Sequence, residues 1–207
     1  MRKKIFYLLT ICICGCLSMF SQTDTITLNF QEHSENPEIA GILKALDASQ
    51  VTATLYADSL KAKYYEIWMV ECSGRENKRT KIGYKRIEPD STKITFTAVP
   101  KDSMNVAFSF MRLSAGIQRI TASVVTDNHI LIGCDYGWNF NKNDTIPLVG
   151  YSDGIHHKVN LGNGQILDGL DICGLRFSKI QPSKWKEEYN LSDYVYFEAI
   201  PVKEMSF

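Results

Sequence analysis

Short runs of β-branched and aromatic residues dominate the chain after residue 50, separated by Gly, Pro, Asp, Asn or Ser. In residues 92–98, Ile94, Phe96 and Ala98 alternate with polar residues, which is the period-two pattern of a half-buried strand. Such runs recur at intervals of roughly 8–12 residues, and that spacing is typical of an antiparallel sandwich. We therefore predict an all-β fold with one short N-terminal helix: an antiparallel β-sandwich of the jelly-roll or immunoglobulin-like type.

The clearest helical pattern begins at Asn36, which can cap a helix whose first residue is Pro37. Apolar residues then recur on one helical face, at Ile39, Ile42, Leu43 and Leu46. We expect this face to pack on a sheet and the helix to cover an edge or an end of the fold. Residues 64–70 are apolar on both faces, which predicts a central strand that is covered on both sides or lies under the helix.

The second half of the chain continues mainly with strand patterns. We read residues 166–180 as a strand interrupted by Gly169 and Gly174, and residues 182–189 as one short helical turn. The sequence Gly162-Asn163-Gly164 predicts a hairpin turn. Since the chain shows no internal repeat and no Pro/Gly/Ser linker, we predict a single domain from residue 22 to 207; two small sandwiches meeting near residues 113–116 are the alternative.

The N-terminus has the composition of a secretory signal peptide, which we assign to residues 1–21. Arg2, Lys3 and Lys4 precede an apolar run that reaches about residue 20, and no acidic residue occurs before Asp24. Cleavage after Ser18 or Ser21 would release the chain, whereas Cys16, in a segment that resembles a bacterial lipoprotein box, would carry lipid. We expect an exported protein that is secreted, periplasmic or lipid-anchored at the bacterial envelope, with membrane contact only through lipidation at Cys16.

The charge balance argues against nucleic acid as a partner. Removing a signal with three basic and no acidic residues leaves 20 Lys and Arg against 23 Asp and Glu, a net charge of −3. Phosphate binding needs a concentrated basic excess. The basic residues between 75 and 86 are interpreted as a solvated hairpin, because Lys and Arg on an exposed strand discourage pairing with another chain.

Three cysteines remain after the signal: Cys72, Cys134 and Cys173. An odd number permits at most one internal disulfide, so the chain is not a disulfide-stapled miniprotein. Each cysteine sits in an apolar run, and we expect each to be a small buried hydrophobic residue.

The best candidate for a binding surface is the segment 129–144, HILIGCDYGWNFNKND. In an unbroken strand its aromatic residues would share the core face with Ile130 and Ile132, but that strand would be unusually long. Gly133 and Gly137 favour a strand end near Asp135, which would place aromatic residues near the surface. The predicted ligand-binding residues are Asp135, Tyr136, Trp138, Asn139 and Asn141.

Exposed aromatic rings beside Asn and Asp are typical of sugar-binding surfaces, where the ring contacts C–H groups and the amides bond hydroxyls. We therefore expect a non-enzymatic protein that binds a glycan or another envelope component. Trp138→Ala should then abolish retention on a glycan array without changing the melting temperature. Burial of these rings in the core is the competing interpretation.

Neither a metal nor a cofactor is expected. The segment from Asn139 to Asp144 places Asn at the early positions of a calcium loop but lacks the Gly and Glu that an EF-hand requires, so an Asn-rich turn explains it better. His156 and His157 are zinc-ligand types, as are His129 and Cys173. Adjacent strand residues point to opposite faces, however, so the histidine pair cannot reach one metal.

Two alternatives belong to other functional classes. A jelly-roll glycan-active enzyme would use strand carboxylates such as Glu66 and Glu198, which lie in apolar runs and would need to face each other in a cleft. A structural or assembly protein would dock a partner through an exposed sheet edge or apolar patch.

Overall fold

The computed structural model describes residues 25–57, 63–73, 76–111, 117–124, 127–135, 137 and 139–202. The predicted signal peptide and the candidate lipidation site Cys16 lie outside these residues. No helix in the described part of the chain is long and apolar enough to cross a membrane.

Two large antiparallel sheets pack face to face, which confirms the predicted β-sandwich. Across sheet A the strands run in the order β7 (Ile117–Ser123), β6 (Asn105–Met111), β5 (Asp90–Asp102), β2 (Ser49–Ala57), β1 (Thr25–Gln31) and β9 (Asn139–Asn141). Across sheet B the order is β4 (Glu76–Ile87), β3 (Lys63–Ser73), β13 (Asp193–Pro201), β10 (Ile146–Ser152) and β8 (Ile130–Gly133). Strands from both halves of the chain occupy each sheet, since β1 pairs with β9 and β3 pairs with β13.

The main core lies between the inner faces of the two sheets. The alternation expected in β5 is confirmed, because Ile94, Phe96 and Ala98 are buried. The ring of Phe197 lies 4.9 Å from that of Phe96 and 5.1 Å from that of Phe108, measured between centroids. Burying each such ring contributes about 1.5–3 kcal/mol, so these rings stabilise the contact between the sheets.

The basic residues between 75 and 86 lie largely on β4, which forms a hairpin with β3 as expected and stands at the edge of sheet B. Its exposed charged side chains are Lys78, Arg79, Lys81 and Arg86. This row of charges disfavours pairing of the edge with another strand.

Helix α1 (Pro37–Ala45) begins where the sequence predicts, with the Asn36 side chain accepting from the Glu38 backbone N–H at 2.9 Å. The prediction that its apolar face packs on a sheet is wrong: no helix residue is buried, and Ile42 is 60% exposed. The helix joins β1 to its direct antiparallel neighbour β2. A connection between adjacent antiparallel strands does not need to cross a face of the sheet.

The prediction of a strand from 166 to 180 is wrong after Asp171. The Asp171 carboxylate accepts from the Gly174 backbone N–H at 2.7 Å and so caps a second helix, α2 (Ile172–Arg176). The helical turn expected near 182–189 is confirmed as a 3₁₀ helix (Pro182–Lys184) followed by α3 (Trp185–Tyr189). We call residues 172–191 the C-terminal cover.

The C-terminal cover packs on the outer face of sheet B and forms a second core. Trp185, Leu175 and Leu191 of the cover are buried against side chains of the sheet: Val70, Cys72, Ile132, Cys134, Tyr194 and Tyr196. Strand β3 is thus covered on both faces near Val70 and Cys72, as its apolar pattern indicated. Its outer face is covered by the C-terminal cover and not by α1.

Two of the three burial predictions for the cysteines are confirmed. Cys72 and Cys134 are buried in the second core, whereas Cys173 is exposed. Cys173 precedes the buried Leu175 by two residues in α2, and residues two apart lie on nearly opposite sides of a helix.

The strands β11 (Ile155–Asn160) and β12 (Ile166–Asp171) form a separate two-stranded sheet, which we call the hairpin arm. The predicted turn at its tip is confirmed, with Gly162 at φ 79° and Gly164 at φ 84°. Positive φ angles of this kind favour glycine, which explains the composition of the turn.

Candidate functional site

The segment 129–144 crosses from one sheet to the other. Strand β8 ends at Gly133 and pairs with β10, whereas β9 begins at Asn139 and pairs with β1. Gly137 adopts a φ of 60° in the connection between them. The expected strand break near Asp135 is therefore confirmed.

The break leaves the described side chains of the segment in different environments. Asp135 is partly buried, Asn139 and Asn141 are exposed, and Phe140 belongs to the main core. Tyr136 and Trp138 lie outside the described residues, so the aromatic part of the sugar-binding surface stays a prediction.

An Asn-rich turn follows β9, as the sequence indicates. One oxygen of the Asp144 carboxylate accepts from the Asn141 backbone N–H at 2.8 Å and from the Asn141 side-chain amide at 3.1 Å. The Asp144 backbone N–H donates in turn to the Asn141 carbonyl at 2.9 Å. These bonds fix the turn, so the amide nitrogen of Asn141 is engaged within the segment itself.

Two residues of β3 donate hydrogen bonds to the turn. The Lys63 ammonium donates to the Lys142 carbonyl and to the Asn143 side-chain oxygen, both at 2.8 Å, and the Tyr65 hydroxyl donates to the same carbonyl at 2.9 Å. Burial, together with the nearby charge of Lys142, lowers the pKa of Lys63. Burial and the charge of Asp144 raise the pKa of Tyr65 to about 12. The turn is thus anchored to the opposite sheet.

A shallow polar depression of about 470 Å³ opens beside this turn. We call it the amide-lined depression; its walls are Asn139, Phe140, Asn143, Asp144, Thr145 and Gln181. Of the predicted site residues that the structure describes, Asn139 lines the depression, whereas Asp135 and Asn141 lie outside its walls. Gln181, which sequence reasoning missed, precedes Pro182 at the start of the 3₁₀ helix of the cover. Amide, carboxylate and hydroxyl groups from two distant parts of the chain can therefore meet one ligand.

The carboxylates Glu66 and Glu198 lie on the outer face of sheet B outside the second core, where Glu198 is buried and directly opposite Trp68. Glu66 accepts from Lys81 at 3.1 Å and from the Trp68 indole N–H at 3.0 Å, and Glu198 is ion-paired with Arg79. Burial alone would raise the pKa of Glu66, but these hydrogen bonds and the Lys81 charge outweigh it and hold the pKa below its ordinary value. Each carboxylate is therefore neutralised by its own cation.

Trp68 on the same face is flanked by cations of β4. The Arg79 guanidinium lies 5.2 Å and the Lys81 ammonium 5.8 Å from the centre of its ring system. These cation–π contacts already use the Trp68 ring, so the ring is less able to stack against a ligand.

A groove of about 510 Å³ lies between α1 and the starts of β2 and β8. Its lining includes the Glu32 carboxylate, which is ion-paired with Arg176. The apolar lining residues are Ala40, Leu43, Ala48, Ile130 and Leu131. Because most of the lining surface is apolar, the groove fits a small apolar group better than a sugar.

The histidine pair is split by the strand, as expected. His156 Nε2 lies 2.7 Å from an Asp153 carboxylate oxygen, whereas the His157 ring packs over Gly169. Among the residues that the structure describes, no group of three or more His, Cys, Asp or Glu side chains is arranged to hold a metal ion.

Comparisons with known proteins did not identify a family. No family model, curated protein or solved structure matches the chain.

Proposed function

We propose that this chain is an exported, non-enzymatic β-sandwich that binds a glycan or another hydroxyl-rich component of the cell envelope at the amide-lined depression. The observation that carries the proposal is the lining of the depression: Asn139, Asn143, Asp144, Thr145 and Gln181 supply its polar side chains.

The chemistry of these groups suits sugar hydroxyls. An amide presents both a carbonyl acceptor and N–H donors, so it can bond a hydroxyl group in either sense. The Asn143 side-chain oxygen accepts from Lys63 of β3, and one Asp144 carboxylate oxygen accepts from the Asn141 backbone N–H; these bonds hold the remaining polar atoms of both side chains in place. A site whose side chains are positioned before binding loses less entropy when the ligand arrives.

Export is supported by the sequence. The basic residues before the apolar run at the N-terminus, followed by small residues at Cys16 and Ser18, have the form of a signal peptide. A glycan or envelope component is a ligand that an exported chain would meet.

The enzyme alternative lacks support from the described carboxylates. A glycosidase needs one carboxyl group with a raised pKa that can donate a proton. Glu66 has a lowered pKa, and Glu198 is ion-paired with Arg79. The state of these two carboxylates therefore favours binding without catalysis.

The test is retention of the chain, residues 22–207, on an array of bacterial, plant and animal glycans. Asn139→Ala and Gln181→Ala should each weaken retention at least about tenfold, and their melting temperatures should match the wild type. Asn77→Ala is the matched control, since Asn77 is an exposed amide on β4 outside the depression. Wild type that binds no glycan, or retention that survives both substitutions, would refute the proposal.

A further inference from the structure

The tip of the hairpin arm contains the only Asn-Gly pair in the sequence, Asn163-Gly164. Both residues are exposed, so water reaches them from solvent. The side-chain carbonyl carbon of an asparagine can be attacked by the backbone nitrogen of the next residue, which closes a five-membered succinimide ring. Glycine at that next position has no side chain to hinder the attack. The pair therefore has the covalent structure that favours loss of the side-chain amide.

The turn prepares the Asn163 side chain for this attack. Its carbonyl oxygen accepts from the Gln165 backbone N–H at 3.0 Å, and its amide nitrogen donates to the Gln165 side-chain oxygen at 3.0 Å. A donor at the carbonyl oxygen stabilises the negative charge that develops there during the attack. Within the described residues, the Gly164 backbone N–H donates to no other group. The attacking nitrogen is thus not engaged in the turn.

Asn160, at the end of β11, differs from Asn163 in this last respect. Its side-chain carbonyl also accepts from a backbone N–H two residues further on, that of Gly162 at 2.9 Å. The nitrogen that would attack it belongs to Leu161, however, and that N–H donates to the Gln165 carbonyl at 3.0 Å. Leu161 also carries the side chain that glycine lacks. The two asparagines of the tip therefore have similar carbonyl groups but different nucleophiles.

We propose that Asn163 is a self-modification site, at which the arm loses an amide group without an enzyme. The Gly164 nitrogen forms a bond to Cγ of Asn163 and gives its proton to water. The bond between Cγ and Nδ2 breaks, and the amide nitrogen takes up a proton and leaves as ammonia. Water then opens the succinimide at either carbonyl, which yields aspartate or isoaspartate. The inference is independent of glycan binding.

The reaction changes the charge of the arm tip. Residues 160–167 contain no charged side chain, so the new carboxylate turns a neutral tip into an acidic one. It appears between Leu161 and Ile166, which are 48% and 60% exposed. Because a charge is costly to remove from water, the modified tip is less suited to contact with an apolar surface. An aged chain therefore differs from a new one at its most exposed apolar segment of the arm.

Incubation of the chain, residues 22–207, in neutral buffer over weeks, followed by proteolysis and peptide mass spectrometry, tests the proposal. Asn163 should gain about one mass unit, because OH replaces NH₂, while Asn160 in the same peptide stays unchanged. Gly164→Ala should slow this gain at least about tenfold, because the methyl group hinders the attack. Asn163→Gln should abolish it, because the longer side chain would have to close a six-membered ring.

Wild type that keeps its mass at Asn163, or that gains mass equally at Asn160, would overturn the proposal. A sample digested before incubation gives the amount of deamidation that arises during handling and is subtracted.

Leu161→Gly separates the effect of the fold from that of the sequence. This variant places a glycine after Asn160 too, but in the folded chain the nitrogen at position 161 still donates to the Gln165 carbonyl. Asn163 should therefore react at least about tenfold faster than Asn160 in the folded variant. In concentrated urea, where the turn is lost, the two rates should be similar. Equal rates in the folded variant would overturn the role assigned to the Gly164 nitrogen.

Discussion

The hairpin arm and the C-terminal cover are consecutive in sequence and rich in apolar residues, yet they differ in burial. Trp185 and Leu175 of the cover are fully buried, whereas Ile166 and Leu167 of the arm are more than half exposed. The difference lies in what each segment contacts: the cover packs on the outer face of sheet B, whereas the described strands of the arm pair only with each other. Apolar composition alone therefore does not predict whether a segment is buried against the rest of its own chain.

A glycine of sheet B leaves room for the Trp185 side chain of the cover. A Cβ atom at Gly150 would lie 2.6–2.7 Å from two ring carbons of Trp185, so only glycine lets the indole approach β10 this closely. The indole N–H donates to the Ile180 carbonyl at 3.0 Å, and the Tyr194 hydroxyl donates to the Pro182 carbonyl at 2.9 Å. These buried polar atoms of the second core are thus hydrogen-bonded, as a stable interior requires.

The largest expected effect is that of Trp185→Ala. Removing a fully buried indole leaves a cavity and should lower the free energy of unfolding by about 3–5 kcal/mol, measured by urea denaturation. Phe177→Ala is the control within the same cover, since Phe177 is 61% exposed and its loss should change stability by less than about 0.5 kcal/mol. Equal effects of the two substitutions would contradict the burial of Trp185 in the second core.

The next effect is that of Gly150→Ala, which should cost about 1–3 kcal/mol because the new methyl group overlaps the Trp185 ring. In the Trp185→Ala background the same change should cost less than about 0.5 kcal/mol, because the space is then free. Gly41→Ala is the matched control on α1, where an added Cβ meets no atom within 4 Å, and it should be neutral or stabilising. Additive effects of Gly150→Ala and Trp185→Ala would show that the two residues are not in contact.

Tyr194→Phe should have a smaller effect that depends on pH. At neutral pH the lost hydrogen bond should cost about 0.5–1.5 kcal/mol. Burial raises the pKa of Tyr194 well above its ordinary value of 10.0. The neutral phenol therefore contributes stability that is fully present below pH 10.0 and is lost as the pH rises above it.

Urea denaturation at about pH 8 and about pH 11 measures this dependence. The free energy of unfolding should fall less between the two pH values in Tyr194→Phe than in the wild type. Tyr56→Phe, at an exposed position of β2, should behave like the wild type. The same fall in all three proteins would contradict burial of Tyr194 under the cover.

The smallest effect is expected in the arm. Ile166→Ser should change the free energy of unfolding by less than about 0.5 kcal/mol, because the side chain is already 60% exposed. A loss comparable to that of Trp185→Ala would mean that the arm is packed within one chain.

Local sequence patterns predicted most of the sandwich. The alternation in β5, the cap at Asn36 and the turn at Gly162 and Gly164 depend on neighbouring residues only, and each was found where expected. The first part of the cover, residues 172–180, was mispredicted as a strand because apolar residues between 166 and 180 fit either type of element. One capping side chain, Asp171, decides for a helix.

The candidate site was predictable only in part. Asn139 and the Asn-rich turn follow from the sequence around them, but Gln181, Lys63 and Tyr65 come from segments far away in the chain. They reach the turn through pairing and packing of distant strands, which leave no local pattern. The helix start at Pro182 was the single sequence signal near Gln181.

The most direct test of ligand binding at the depression is a nuclear magnetic resonance titration of the isotope-labelled chain, residues 22–207, with the glycan that the array retains most strongly. We expect a joint shift of the side-chain amide signals of Asn139, Asn143 and Gln181, while those of Asn77 and Asn163 stay unchanged. Shifts confined to Gln50 beside the α1 groove, or no shift of the three amides at saturating glycan, would contradict binding at the depression.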